Sequence, residues 1–132
     1  MDSRGCPTLE TSLTLSSGQK VKASVPAGLK KELFGNKDLR DGDRRRYQGK
    51  GVLLAANHIN ELIAPRLLGL SVDRQEEIDR ILIDLDSTSD RRQLGVNTIY
   101  SVSIAVARAA ALNSNLELFS YITNHFNLTS DF

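Results

Sequence analysis

The sequence predicts an α+β domain in which a short antiparallel β-hairpin precedes a bundle of helices. Apolar residues alternate with polar ones through Leu9, Leu13 and Leu15, which is the period of a half-buried strand. Beyond residue 51 the apolar residues recur instead at three- and four-residue steps, the period of amphipathic helices. Because the strands come first and the helices follow, the order is typical of an α+β architecture.

The hairpin is predicted within residues 1–26. Its first strand runs through residues 9–15, and residues 16–19, SSGQ, supply turn chemistry. The second strand alternates through Val21, Ala23 and Val25 until Pro26 ends it. Since a two-stranded sheet is marginal by itself, we expect helices to pack against one of its faces.

Residues 27–48 are predicted to form an irregular loop. The segment is polar and punctuated by glycines, and residues 40–43, RDGD, are typical of a turn. The basic run at residues 44–46 is of a kind that contacts phosphate. Acidic residues interleave with the basic ones, however, so a solvated loop is the favoured interpretation.

Helices are predicted over residues 49–126 and a frayed tail over residues 127–132. The first helix is expected to end near Pro65, because proline lacks an N–H for the helical ladder. Asp73 is the candidate N-cap of the second helix, whose apolar face includes Ile78 and Leu82.

The most apolar stretch, residues 94–112, predicts a helix buried on most sides at the centre of the fold. Val102, Val106 and Ala109 recur at helical spacing, and Asn97 lies where an N-cap is expected. A short last helix follows around Tyr121. Residues 1–132 are therefore expected to form a single domain.

Composition restricts the class of partner. The 132 residues are 40% apolar and 25% charged, an ordinary balance for one core. A net charge of +1 predicts no nucleic-acid partner, and no apolar run is long enough to predict a membrane partner. Cys6 is the single cysteine and no signal peptide opens the chain, so a cytoplasmic location is expected.

The residues by themselves predict no catalytic site. Spacings typical of a Ser-His-Asp triad, a metal centre or a phosphate-binding loop are missing from the sequence. His58 has no second histidine or cysteine at ligand spacing, so it is interpreted as a packing or surface residue. An interaction module is the function class that composition and spacing favour.

Several short segments, in order along the chain, nevertheless resemble enolase. Residues 2–10, DSRGCPTLE, are similar to the family's DSRGNPTVE, and residues 24–26 and 40–43 are similar to its SVPSG and LRDGD motifs. The likeness continues through residues 49–52, 60–65, 94–97 and 107–111. On these motifs, the stretch from residue 2 to about 122 is identified as a member of the enolase family's N-terminal domain.

The resemblance implies a small α+β domain, built on a β-meander, that in enolase accompanies a large β/α barrel. The family converts 2-phosphoglycerate to phosphoenolpyruvate with magnesium, a reaction of glycolysis, and its barrel carries the lysine base and the glutamate acid. This chain ends where that barrel would begin, so we expect no catalytic residues within it.

The resemblance also implies that the metal-binding loop has changed. In enolase a mobile serine-rich loop gives a serine oxygen to the second magnesium, and the matching stretch here is residues 27–36. Lys30 replaces that serine, and an ammonium group cannot coordinate a hard cation. Phe34 replaces the loop's histidine. We therefore expect no magnesium and no other cofactor, which is the pattern of a pseudoenzyme.

Two charged positions match family residues that contact a partner. In enolase dimers the counterparts of Arg4 and Glu10 pair with charges on the other subunit's barrel. These two residues are therefore candidates for contact with a protein partner. The alternative is that both simply hold the start of the hairpin in place.

The family also has a strand before the DSRG motif that this sequence almost entirely lacks. The hairpin is therefore expected to leave an open edge, to which a partner or a second copy of the chain can add a strand. The alternative is that loops protect this edge.

The leading hypothesis is a non-catalytic, enolase-derived domain that acts through protein–protein contact, with enolase itself or a second copy as the partner. The alternative is a subunit that completes a phosphopyruvate hydratase whose barrel lies on another chain. A third reading is a truncated remnant with no selected role.

Overall fold

The structure, a computed structural model, describes residues 1–28 and 37–128, and it begins with the predicted hairpin. Strand β1 (Glu10–Thr14) pairs antiparallel with β2 (Lys20–Ser24), with Ser12 opposite Lys22. The side chains of Thr11 and Ala23 are buried while their neighbours face solvent. The predicted alternation, and with it the α+β class, is confirmed.

The helical part follows in the predicted order. A 3-10 turn (Tyr47–Gly49) precedes helix α1 (Leu53–His58), which continues through a π-helical segment (Ile59–Ile63) into α2 (Ala64–Leu67). The remaining helices are α3 (Gln75–Leu85), α4 (Val96–Asn113) and α5 (Leu118–His125). Helix α4 contacts both strands and also α1, α3 and α5, so it occupies the central position that its apolar sequence predicts.

Small side chains allow α4 to take this position. Ala105, Ala109 and Ala110 are fully buried, and such residues let the hairpin and α5 approach the helix closely. Thr11 of β1 donates a hydrogen bond from its hydroxyl to the Ser101 hydroxyl of α4 at 2.9 Å. The largest apolar cluster among the described residues consists of Ile63, Ile78, Leu82, Leu94, Val102 and Val106, and Leu13 of β1 packs against it.

Three sequence predictions about helix ends are wrong. Pro65 does not end the first helix, because the π-helical segment precedes it and Pro65 falls in the first turn of α2, where no N–H is required. Asp73 does not cap α3, whose N-cap is Arg74. Asn97 is not the N-cap of α4 but lies inside its first turn, after Gly95.

The loop after the undescribed residues 29–36 is held by Asp41. Its carboxylate accepts hydrogen bonds from the N–H groups of Leu53 and Leu54 at 3.1 and 2.9 Å. It thus binds the free N–H groups at the N-terminus of α1. A Cβ at Gly51 would lie 2.2 Å from Asp41 Oδ2, so a larger residue there would displace this carboxylate. Arg44–Arg46 are exposed, as expected of a solvated loop.

No helix in the described part of the chain is long and apolar enough to cross a membrane. Residues 127 and 128 follow α5 without helical structure, and the rest of the predicted tail lies outside the described residues.

Candidate functional site

The N-terminal segment is anchored by the carboxylate of Asp2. Its Oδ1 accepts hydrogen bonds from the N–H groups of Arg4 and Cys6, both at 2.9 Å, and its Oδ2 accepts one from the Ala27 N–H at 3.2 Å. The bond from Cys6, joined by those from Arg4 and Ala27, outweighs the opposing effect of desolvation and lowers the pKa of Asp2 to about 2. Asp2 therefore ties the start of the chain to the residues that follow β2.

Arg4, the first predicted partner contact, takes part in the same network. Its Nη2 donates to Asp2 Oδ2 at 2.9 Å and also to the Ala27 carbonyl oxygen. The side chain is still 40% exposed, so part of the guanidinium remains accessible. The structure thus gives Arg4 the role of holding the hairpin start and leaves one face of it open to solvent.

Asp38 and Arg40 connect this segment to the loop. Asp38 Oδ2 accepts hydrogen bonds from the Gly28 N–H at 2.9 Å and from Arg40 Nη2 at 2.7 Å. Arg40 Nη1 also donates to the Pro7 carbonyl at 2.6 Å. Segments similar to three separate enolase motifs therefore converge at one end of the molecule.

Asn97 joins the loop to α4, which is the reason for its position inside the helix. Its Oδ1 accepts a hydrogen bond from the Leu39 N–H at 2.8 Å, and its Nδ2 donates to the Leu39 carbonyl at 3.2 Å. The amide side chain thus pairs with both backbone groups of one loop residue. This fixes the loop against the first turn of α4.

A cleft of about 530 Å³ opens between these segments, with Arg4, Pro26, Asp38 and Tyr100 among the residues that line it. A second cleft of about 300 Å³ lies next to it, between α3 and α4, and includes Ile83. Tyr100 and Val96 line both clefts and so form the ridge between them. The two clefts together make one groove, which we call the α4 groove, across the first turns of α4.

Tyr100 is a site residue that sequence reasoning missed. It is the one aromatic residue of α4, and its side chain is 55% exposed although the helix is largely buried. The sequence did contain a sign of this exposure, because Tyr100 is an aromatic residue that falls outside the apolar stripe of a core helix. At the far end of the groove Ile83 is 43% exposed.

Glu10, the second predicted partner contact, lies elsewhere. It stands on the exposed face of β1, and its Oε1 is 2.7 Å from Lys22 Nζ of β2. The hydrogen bond from Lys22 and its charge together lower the pKa of Glu10. Glu10 is not among the residues that line the α4 groove, so the structure does not bring it together with Arg4 in one site.

The donor set does not fit the magnesium that the family uses. Lys30, at the position of the metal-ligating serine, lies outside the described residues and carries an ammonium group. Within residues 1–28 and 37–128, no three His, Cys, Asp or Glu side chains are grouped as a metal site. The carboxylates that bond residues 27 and 28, those of Asp2 and Asp38, already accept hydrogen bonds from N–H groups and arginine.

Comparison with known protein families gives a match over most of the chain. The family model described as "Enolase, N-terminal domain" matches residues 1–122. The matched stretch includes β1, β2 and the helices through α4, together with the α4 groove and both candidate contact residues.

Proposed function

This chain belongs to the enolase family through its N-terminal domain, and on that premise we propose that it acts by docking on another protein rather than by catalysing a reaction itself. The observation that carries the proposal is the α4 groove, in which an exposed tyrosine stands between two clefts beside a half-exposed arginine. Tyrosine and arginine are the side chains that most often dominate the energy of protein interfaces.

The structural chemistry of the groove suits a protein surface better than a small polar substrate. Its lining is mainly apolar: Val25 and Pro26 line the larger cleft, Ile83 lines the smaller one, and Val96 lines both. The charges at its rim, on Arg4 and Asp38, are partly satisfied by backbone groups of Ala27 and Gly28. An apolar centre with a polar rim is the usual anatomy of a protein–protein interface.

Enolase is the partner that we propose first. The family resemblance gives Arg4 and Glu10 counterparts that pair with charges on the other subunit's barrel, and both side chains are accessible here, Glu10 at 52% exposure. A complementary surface would offer a carboxylate to Arg4 and a cation to Glu10. The barrel of an enolase subunit meets that requirement by family resemblance.

The test is light scattering after size exclusion of the chain mixed with enolase from the same cell, combined with an assay of phosphoenolpyruvate formation. We expect a stable mixed complex, and an altered enolase rate would make the docking regulatory. A mixture that elutes as two separate species, with an unchanged rate, would overturn enolase as the partner.

Matched variants locate the contact. Tyr100→Ser should weaken the complex, while Phe119→Ser, which removes an even more exposed aromatic (73%) from α5, should not. Glu10→Gln and Lys22→Gln both break the same surface ion pair, but only Glu10→Gln removes a proposed contact with the partner. Equal effects of the two members of either pair would contradict the proposed surface.

The alternative is that the chain completes a phosphopyruvate hydratase whose barrel lies on a separate chain. The family match over residues 1–122 favours it, because such a barrel would need an N-terminal domain of this family. Lys30 counts against it, because the second magnesium would lose its serine ligand. The measurement is phosphoenolpyruvate formation by an isolated enolase barrel before and after this chain is added, and Lys30→Ser should raise the rate if the alternative holds.

A further inference from the structure

The two edges of the hairpin differ in what covers them. Backbone bonds between Leu15 and Gln19 and between Val25 and Leu9 fix which residues face the partner strand. By the two-residue alternation, the backbone groups of Ser12 in β1 and of Lys22 in β2 both point away from the hairpin. Ser12 therefore lies on the outer edge of β1, and Lys22 lies on the outer edge of β2.

The edge of β2 is protected by α4 and by charge. Arg108 Nη1 donates a hydrogen bond to the Lys22 carbonyl at 3.1 Å. Lys20 also stands on this strand, and lysines are a common means of discouraging strand addition.

The edge of β1 has no such protection within residues 1–28 and 37–128. No hydrogen bond in that part of the chain reaches the backbone N–H or carbonyl of Glu10, Ser12 or Thr14. The side chains on this edge are short apart from Glu10, whose charge Lys22 of the same hairpin already matches. An open edge of this kind accepts a further strand readily.

We propose that the outer edge of β1 pairs with the β1 edge of a second copy of this chain, antiparallel and centred on Ser12, to give a four-stranded sheet. In this register Ser12 faces its own copy and Glu10 faces Thr14 of the partner, so no like charges stand opposite each other. Centring on Glu10 would instead oppose two carboxylates. The Ser12 register is therefore the self-complementary one that uses all five residues of β1.

The buried face of the hairpin supports the same register. The Ser12 register places Thr11 opposite Leu13 of the other copy and Leu9 opposite Leu15. The apolar stripe of the buried face therefore continues from one copy into the next. Leu13 and Leu15 are half-buried in the single chain and would gain cover from the second copy. A two-stranded sheet is marginal alone, and a four-stranded sheet removes that weakness.

The first test compares proline at the two edges. Ser12 and Lys22 stand opposite each other, and neither needs its N–H for the hairpin, so proline is tolerable at both positions. In light scattering over a concentration series, we expect the native chain and Lys22→Pro to form dimers and Ser12→Pro to remain monomeric. A native chain that stays monomeric up to its solubility limit overturns the proposal, as does an equal effect of the two prolines.

A charge exchange tests the register itself and avoids proline. Ser12→Lys and Ser12→Asp should each weaken the dimer about tenfold or more, since like charges would face each other across the two-fold axis. An equimolar mixture of the two variants should restore a heterodimer. Failure of the mixture to associate, with both variants folded by circular dichroism, would exclude this register.

This inference does not rest on the proposed function. Docking on enolase is tested at Tyr100 and Glu10, and self-association is tested at Ser12, whose substitution leaves both of those side chains unchanged. Loss of either result leaves the other in place.

Discussion

Different interactions hold together two regions of the molecule. One is the helical layer around α4. The other, which we call the junction, is where the N-terminal segment, the loop around Leu39 and the first turn of α4 meet. Around α4, apolar side chains such as Leu82 and Val106 are almost wholly buried, and shape and area determine the packing. At the junction, Asp2, Arg4 and Asn97 hold backbone groups of distant segments through directional hydrogen bonds. Non-directional apolar contacts hold the first region together, whereas directional hydrogen bonds hold the segments of the second region in place.

The difference explains where the accessible surface lies. A close-packed core leaves few openings, whereas segments joined by single hydrogen bonds leave gaps between them. The larger of the two clefts described above lies at the junction, between Arg4 and Tyr100. The proposed docking surface therefore lies in the region that directional hydrogen bonds hold together.

The largest effect should come from the helical layer. Leu82→Ala removes a fully buried side chain from the main apolar cluster and should lower the free energy of unfolding by about 2–5 kcal/mol. Urea unfolding followed by circular dichroism measures it. Leu68→Ala, at a position 81% exposed, is the control and should change stability little. Equal losses would contradict the distinction between the two regions.

A smaller effect is expected where the two regions meet. Gly95 has φ +88, and a Cβ there would lie 2.5 Å from the Leu39 backbone nitrogen. Gly69 has φ +84 with nothing within 4 Å of the added atom. Gly69→Ala should therefore show the conformational cost alone, about 1–2 kcal/mol, and Gly95→Ala should exceed it in the same unfolding measurement. A smaller loss for Gly95→Ala would mean that Leu39 moves aside freely.

The junction should respond to acid through Asp2. The pKa of Asp2 is lowered from 3.8 to about 2, so its contribution is fully present above pH 4 and is lost as the pH falls through about 2. An NMR titration of the Asp2 carboxyl should give this value, and Asp2→Asn should remove that part of the pH dependence of stability. A carboxyl that titrates near 3.8 would contradict the described anchor.

The smallest effect is predicted for the ion pair on the hairpin. Glu10 and Lys22 are both more than half exposed, and solvent screens such pairs strongly. Glu10→Gln and Lys22→Gln should therefore leave the thermal midpoint of unfolding essentially unchanged in low-salt buffer. A clear loss in both would show that the pair stabilises the hairpin, which would weaken the case for Glu10 as a partner contact.

The sequence predicted the structure correctly where apolar residues recur periodically. It failed where the contacts of a single side chain determine the local structure. The alternation around Thr11 and the helical stripe through Val102 and Val106 each predicted an element and its buried face. Asn97 has the chemistry of an N-cap, but its partner Leu39 is far away in sequence, so no local pattern indicates the pair. Pro65 has the chemistry of a helix end, yet the π-helical segment before it lets the chain remain helical.

The sequence by itself determined the α+β order, the central place of α4 and the membership of the enolase family, because periodicity and shared motifs are local properties of the chain. The tertiary structure decided that Arg4 holds Ala27, that Arg108 covers the edge of β2, and that Tyr100 stands exposed between two clefts. Such contacts join segments far apart in sequence, and a hydrogen bond between them depends on where the whole fold places each group.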